Sequence, residues 1–408
     1  MGPIPTRRAV IATGIAAAAL PRRAHAQQKP IRIGVLTDMN GPYAANTGAG
    51  SVLGTQMAAE DFMRQHPDIK VEVISADLQL KPDVALGISA DWFDNQGVDV
   101  VTDVPLSSAA FAIGDQVAQK DKVAIFTGGA SADITGAHCG TNHLHWVYDT
   151  WSMPHGVVNA AVKEGGDSWF FITADYAFGH SLEKDAASFV LEAGGKVLGE
   201  APHPFPGTTD FSAFIVQAKA SGAKVIGLAN GGGDTVNCIK QASEFGIMQG
   251  GQKVAGLIFL IHDVHGVGLQ SAQGVLLNEP FYWNLNDGTR AFGKRFAERF
   301  NGVVPGSVHA GQYSGVMHYL KAVAALGVDR AKASGRAAIA QMQAMPTDDP
   351  LFGKGQVRKD GRVTHNMYLF EVKSPAQSKE PWDYYNLKRT IPADEAFRPL
   401  DKGGCKLV

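Results

Sequence analysis

Small hydroxylated residues and glycines recur in this chain at the downstream ends of short apolar runs. Ser107 and Ser108 follow the run at 98–106, and Gly128, Gly129, Ala130 and Ser131 follow the run at 123–127. Asp175, Tyr176 and Phe178 follow the run at 169–173. Asn230 and Gly231 to Gly233 follow the run at 225–229, with Asp234 next, and His262 and Asp263 follow the run at 254–261. The chemistry this set supports is capture of an anion. The first N–H groups of a helix are unpaired and carry partial positive charge. Serine and glycine at such a place let a carboxylate come close. Ser107, Ser108 and Ser131 add hydroxyl donors. Tyr176 and Phe178 offer apolar, stackable surface, and Asp263 could pair with a ligand ammonium or polar head. A small carboxylate-bearing solute fits these residues together.

Structural roles stand beside each of these. Ser107 or Ser108 reads equally as a helix N-cap, and Asp234 as another. Gly231 to Gly233 can serve only a tight turn. Tyr176 and Phe178 can be core residues at a lobe boundary. His262, Asp263 and His265 could form a metal site, but no further ligand set stands at a recognised spacing. We therefore expect neither a metal nor a cofactor.

These residues must be positioned by alternating strands and helices. Strand-like runs at 31–37, 71–75, 98–101 and 123–126 alternate with helical patterns at 50–65, 82–96 and 108–120. The pattern restarts with strands at 168–173, 196–201 and 225–229 and helices at 179–193, 211–221 and 235–245. Apolar runs at 254–261 and 275–278, helices at 291–300 and 309–326, and strands at 356–358 and 365–372 complete it. Such alternation predicts an α/β fold with parallel sheets. One open sheet for so long a chain would be unusually large, so two lobes are expected, with residues 147–153 as a first crossover. In open parallel sheets ligands bind beyond the carboxyl ends of the strands, which is where the residues above fall.

Composition narrows the function. The chain has 408 residues, with 37 basic and 39 acidic side chains, so it lacks the basic excess of a nucleic-acid binder. Residues 1–26 read as an export segment: Arg7 and Arg8, an apolar run too short to span a bilayer, and Ala24-His25-Ala26 as a cleavage site. The stretch TRRAVIATG resembles a twin-arginine signal, which implies a periplasmic destination. In an oxidising compartment, Cys139 and Cys405, both in loop-like stretches, are expected to pair, leaving Cys238 as a buried thiol within a helix. The chain has no G-x-S-x-G, H-E-x-x-H or phosphate-loop pattern, and G-G-G-D-T-V lacks the third glycine of a dinucleotide loop. We expect a binding protein rather than an enzyme. The alternative is a periplasmic α/β enzyme acting on a small carboxylate.

The ordered series of motifs resembles the leucine/isoleucine/valine-binding protein family, type I periplasmic solute-binding components of ABC importers. The opening IRIGVLTDMNGPYAANTG, with Asn40-Gly41-Pro42 and Gly48, is similar to that family's start. DVPLSSAAFAIGDQVAQKDKVAIFTGGASADIT, ADYAFGHS and TTDFSAFIVQAKASGAKVI resemble its later blocks. The resemblance implies two doubly wound parallel-sheet lobes joined by three crossovers and closing on a solute, with an inner-membrane ABC permease as partner. The lobes would be residues 27–148 with 284–362, and residues 149–283 with 363–408. It places ligand-carboxylate contacts at Ser107, Gly128, Gly129, Ala130 and Ser131, a closing aromatic at Phe178 beside Tyr176, and an ammonium partner near Asp263. Gly231 to Gly233 stand where some members have tyrosines, leaving more room. Trp146, Tyr148, Phe281, Tyr282 and Trp283 would line a wider, flatter pocket or pack the hinge. A monomer is expected.

Overall fold

The computed structural model describes residues 1–2 and 29–408, so residues 3–26 of the expected export segment lie outside it. The first half of the chain alternates β1 (Ile31–Thr37), α1 (Gly48–Gln65), β2 (Val71–Asp77), α2 (Pro82–Asp94), β3 (Val100–Asp103), α3 (Ser107–Lys120), β4 (Val123–Phe126) and β5 (His143–His145). After α4 (Ser152–Lys163) the alternation resumes with β6 (Ser168–Ala174), α5 (Ala177–Glu192), β7 (Lys196–His203), α6 (Ser212–Ala220), β8 (Val225–Ala229), α7 (Gly233–Glu244) and β9 (Lys253–Gly256). There follow α8 (Ile261–Val267), α9 (Leu269–Ala272), β10 (Leu276–Glu279), α10 (Asp287–Arg299), α11 (Ser307–Leu326), α12 (Val328–Ala333) and α13 (Gly335–Ala344). The chain ends with β11 (Thr347–Asp349), β12 (Gly353–Val357), β13 (Val363–Thr364), β14 (Met367–Val372), β15 (Tyr385–Ile391) and the short α14 (Ala393–Ala396).

Two sheets are wholly parallel and share one strand sequence. The first runs β2-β1-β3-β4-β5 and the second β7-β6-β8-β9. In each the order reverses next to the first strand, at β1/β3 and at β6/β8, and a crevice opens there at the carboxyl ends. Two three-stranded antiparallel sheets, β10-β14-β15 and β11-β12-β13, accompany them. These were not expected from the β/α rhythm.

Burial on both faces explains the apolar strands. Along β6, Trp169 and Phe171 point into one core cluster, and Phe170 and Ile172 into another on the opposite face. In β1, Ile31 and Ile33 join the first cluster while Leu36 joins a third. Tight layers need small residues. A Cβ on Gly34 would lie 2.4 Å from the Trp92 ring, and one on Gly54 2.5 Å from the His309 carbonyl oxygen of α11.

Cys139 and Cys405 form a disulfide, and Cys238 is buried and unpaired, both as expected. The bridge and an Arg398 Nη2 bond to the Ala132 carbonyl, 2.9 Å, carry the chain end back to the loop that follows β4. No helix among the described residues is long and apolar enough to cross a membrane.

Candidate functional site

The carboxyl ends of the two parallel sheets face each other across a small cavity. From the first sheet come Tyr43, Asn46 and Thr47 after β1, Pro105 and Ser107 after β3, Gly128 and Ala130 after β4, and Tyr148 after β5. From the second come Tyr176 and Phe178 after β6, Gly231 and Gly232 after β8, and Ile258 and Leu260 after β9. The cavity therefore sits at both strand-order reversals at once.

Six of the expected residues, Ser107, Gly128, Ala130, Tyr176, Phe178 and Gly231, line this wall together. The other five stand off it. Ser108 lies in the first turn of α3, half-buried, and Gly129 packs behind Gly128 against the Val104 carbonyl. The Ser131 hydroxyl accepts from the Asp133 N–H at 3.2 Å and donates to Ser181 at 3.0 Å. Asn230 holds its own turn, accepting from Thr235 Oγ1 at 2.8 Å. Asp263 is engaged on both oxygens, by Asn46 Nδ2 at 2.8 Å and by the Leu260 N–H at 2.9 Å, so it caps α8 rather than facing the cavity. Of the five aromatics expected at a flat pocket, only Tyr148 reaches the wall. Trp146 donates to Ser314 at 3.0 Å and Trp283 to the Trp382 carbonyl at 2.8 Å, and Phe281 and Tyr282 are core residues. His262 is also committed, with Nδ1 3.2 Å from Asn46 Oδ1 and Nε2 3.0 Å from the Val304 carbonyl.

The room expected at Gly232 and Gly233 is taken by the protein itself, while Gly231 faces the cavity. A Cβ on Gly232 would lie 2.3 Å from the Pro42 carbonyl oxygen and 3.0 Å from Tyr43 Cδ1. The Gly233 N–H donates to that carbonyl at 2.8 Å. The loop after β1 is shaped for this contact by Asp38, which accepts from the N–H groups of Gly41 at 2.6 Å and Tyr43 at 2.9 Å. Tyr43 then meets Tyr176 hydroxyl to hydroxyl at 2.6 Å. Phe205 stacks over both rings, with centroids 5.4 Å from Tyr43 and 4.5 Å from Tyr176. The two halves are thus closed on one another. Sequence reasoning missed Tyr43, Asn46 and Thr47, although they too follow a strand end and sit beside the Asn40-Gly41-Pro42 turn.

The wall is uncharged but not inert. Helix α3 has no side-chain cap, and the N–H groups of Ser107, Ser108 and Ala109 have no acceptor among the described residues. Ser107 Oγ accepts from the Ser131 N–H at 3.1 Å, which leaves its own proton to donate. Helix α5 begins at the opposite wall, also without a side-chain cap. Burial raises the Tyr43 and Tyr176 phenols well above their ordinary value, so both stay neutral donors.

Behind the wall stand carboxyls whose pKa values burial raises. Desolvation pushes Asp103 and Asp263 up to about 6, against the hydrogen bonds that lower them. Glu279 is pushed up to about 8 by burial, although Ser307 at 2.5 Å and Tyr385 at 2.7 Å donate to it. The folded protein therefore holds a proton on Glu279 that the unfolded chain releases above its ordinary, lower pKa. The contribution of Glu279 to stability is complete below that unfolded value and is lost as pH rises through about 8. A Glu279→Gln variant should lose this part of the pH dependence, whose slope is at most about 1.4 kcal/mol per pH unit. Urea unfolding of both proteins between these limits checks it; parallel profiles would refute it.

Comparison with known proteins bears on this geometry. Residues 30–379 match the family model described as periplasmic binding protein. A periplasmic binding protein from Burkholderia mallei is 42% identical, covering 93% of this chain and 99% of that one, with a TM-score of 0.89. A branched-chain amino acid ABC transporter periplasmic ligand-binding protein from Burkholderia xenovorans is 38% identical, covering 92% and 99%, with a TM-score of 0.80. A solute-binding protein of an ABC transporter from R. palustris, in complex with benzoate, shares the fold at 18% identity, covering 93% and 100%, with a TM-score of 0.78. No curated protein matches the chain. With a family model matched over most of its length, and two parallel sheets of one strand order closing on a shared cavity, the chain belongs to the periplasmic binding protein family.

Proposed function

We propose that the chain is the solute-binding component of an ABC importer and captures a small carboxylic acid without an ammonium group, aromatic or aliphatic, between its lobes. The observation that carries this is the uncapped start of α3, with the Ser107 hydroxyl, set in a wall whose other side chains are uncharged and largely apolar. The carboxylate is held by Ser107 and by main-chain N–H groups near Gly128, Gly129 and Ala130, which places it on a helix N-terminus. Tyr148, Tyr176, Phe178, Ile258 and Leu260 cover the apolar body. An α-amino acid would need an acid for its ammonium. No acidic side chain lines the cavity, and Asp263 is already engaged on both oxygens.

The benzoate complex of the R. palustris neighbour agrees with an acid of this kind, and the name of the B. xenovorans neighbour favours a branched-chain amino acid. In our reading the lobes are residues 27–148 with 284–362, and 149–283 with 363–408. They close about a hinge, as periplasmic binding proteins do, without turnover of the solute. A monomer is delivered to the periplasm by the twin-arginine signal and presents its closed form to an inner-membrane permease.

The test is thermal unfolding of the chain from Gln27 with benzoate, short aliphatic acids and leucine. A ligand present at 100 times its Kd stabilises the native state by about 2.7 kcal/mol. We expect benzoate or an aliphatic acid to raise the melting temperature and leucine to leave it unchanged. Stabilisation by leucine alone would overturn the reading.

A further inference from the structure

Five hydroxyls line the cavity, those of Tyr43, Thr47, Ser107, Tyr148 and Tyr176. Four are engaged. Tyr43 and Tyr176 bond each other at 2.6 Å, Thr47 donates to the Tyr43 carbonyl at 3.0 Å, and Ser107 accepts from Ser131 at 3.1 Å. The Tyr148 hydroxyl has no partner among the described residues, although Tyr148 is only 5% exposed. The oxygen is not one of the fully buried unpaired polar atoms, so it keeps a face on the cavity, and its proton is free to be donated to a ligand there.

The ring is carried on a fixed backbone. The chain on either side of it is pinned: Arg362 Nη2 donates to the Val147 carbonyl at 2.6 Å, Arg362 Nη1 to the Tyr148 carbonyl at 3.3 Å, and the Thr150 N–H to the Ala130 carbonyl at 2.8 Å. Burial, with Asp263, Glu279 and Asp103 nearby, keeps the phenol protonated and able to donate. The carboxylate reading puts the charged end of the ligand at Ser107, so the group left to Tyr148 is a neutral one on the ligand's body.

We propose that Tyr148 is a specificity-determining residue of this site, its hydroxyl pairing with a hydroxyl carried on the body of the ligand, so that the solute is a hydroxylated carboxylic acid. This rests on the carboxylate reading above. A site built to pair a ligand hydroxyl rejects the analogue that lacks it, because the protein group is then left unpaired.

The experiment is calorimetric titration of benzoate and the three monohydroxybenzoates into the wild-type protein and Tyr148→Phe. The unliganded melting temperatures are compared first, to show that the variant is folded. At least one hydroxybenzoate should bind the wild type about tenfold or more tighter than benzoate, and Tyr148→Phe should abolish that preference. Equal binding of all four acids to the wild type would overturn the role of Tyr148 and leave the carboxylate reading intact. So would a variant that weakens benzoate as much as its hydroxylated forms, since the phenol would then serve the carboxylate. If none of the four binds, the carboxylate reading fails for aromatic acids and this assignment fails with it.

Discussion

Gly232→Ala should weaken ligand capture by about 30-fold, equivalent to about 2 kcal/mol, in a protein that still folds. Gly232 has φ 59° and ψ −133°, a conformation open to glycine and strained for alanine. That strain is present whether the cleft is open or closed, so it lowers the melting temperature of the unliganded protein. The loss of affinity has a different source. The new methyl group would stand 2.3 Å from the Pro42 carbonyl oxygen, which belongs to the loop after β1 on the facing sheet. This overlap exists only when the halves meet. Relieving it also stretches the 2.8 Å bond from the Gly233 N–H to Pro42 and disturbs the Tyr43–Tyr176 contact that closes the cavity. One hydrogen bond of this kind contributes about 1 kcal/mol, and displacement of the loop accounts for a comparable amount. Gly231→Ala is the control. Its Cβ would meet nothing nearer than Phe178 Cζ at 3.6 Å, an ordinary contact. Titration with whichever acid binds the wild type, with small-angle scattering to follow closure, separates the two variants. Unchanged affinity in Gly232→Ala would show that the loop does not bear on closure.

The same glycines show what can be read from a sequence and what cannot. Gly231 to Gly233 mark a turn after a strand, and that much is local. That the space over Gly232 is filled by Pro42 and not by ligand depends on a contact between segments about 190 positions apart. Asp263 is a similar case. Its place after an apolar run marks it as near the site, but its partner Asn46 lies 217 positions away. Strands buried on both faces were legible to the residue: β4 and β8 are continuous apolar runs, and β1 is apolar but for Arg32 and Thr37. Helix α4 was not, because Pro154 and Gly156 interrupt its pattern, although a proline in the first turn is permitted. Strand β15 was missed for the opposite reason. Only its end residues, Tyr385 and Ile391, are buried, and the charged middle of the strand faces solvent. The rule that ligands lie beyond strand ends found half of the wall. It would have found Tyr43, Asn46 and Thr47 had it been applied to β1 as well.

Arg362→Met should destabilise the protein by about 3–5 kcal/mol, the range for removing one partner of a buried ion pair. Arg362 is 1% exposed and spends its guanidinium on the crossover after β5. Nη2 donates to the Val147 carbonyl at 2.6 Å, and Nη1 reaches the Tyr148 carbonyl and Asp149 Oδ2, both at 3.3 Å. Nε donates to the Val363 carbonyl at 3.0 Å, and the Phe397 ring lies 4.5 Å beneath Cζ. Burial lowers its pKa only to about 10, so it is charged at neutral pH. Methionine fills much of the volume but leaves the carbonyls and a buried carboxylate without their donor. Asp149 still accepts from the Ser152 N–H at 2.7 Å, so its role at the start of α4 survives and the helix should persist. Lysine keeps the charge but not the planar fork, so Arg362→Lys should fall between wild type and Met. Because the same guanidinium holds the main chain of Tyr148, ligand affinity should drop together with stability, although Arg362 does not line the cavity. Adding Asp149→Asn to Arg362→Met should recover part of the loss if the stranded charge is its main source. Denaturant unfolding of the four proteins decides this: a loss below about 1 kcal/mol in Arg362→Met, within the range of an exposed ion pair, would mean that the crossover holds its course without the guanidinium.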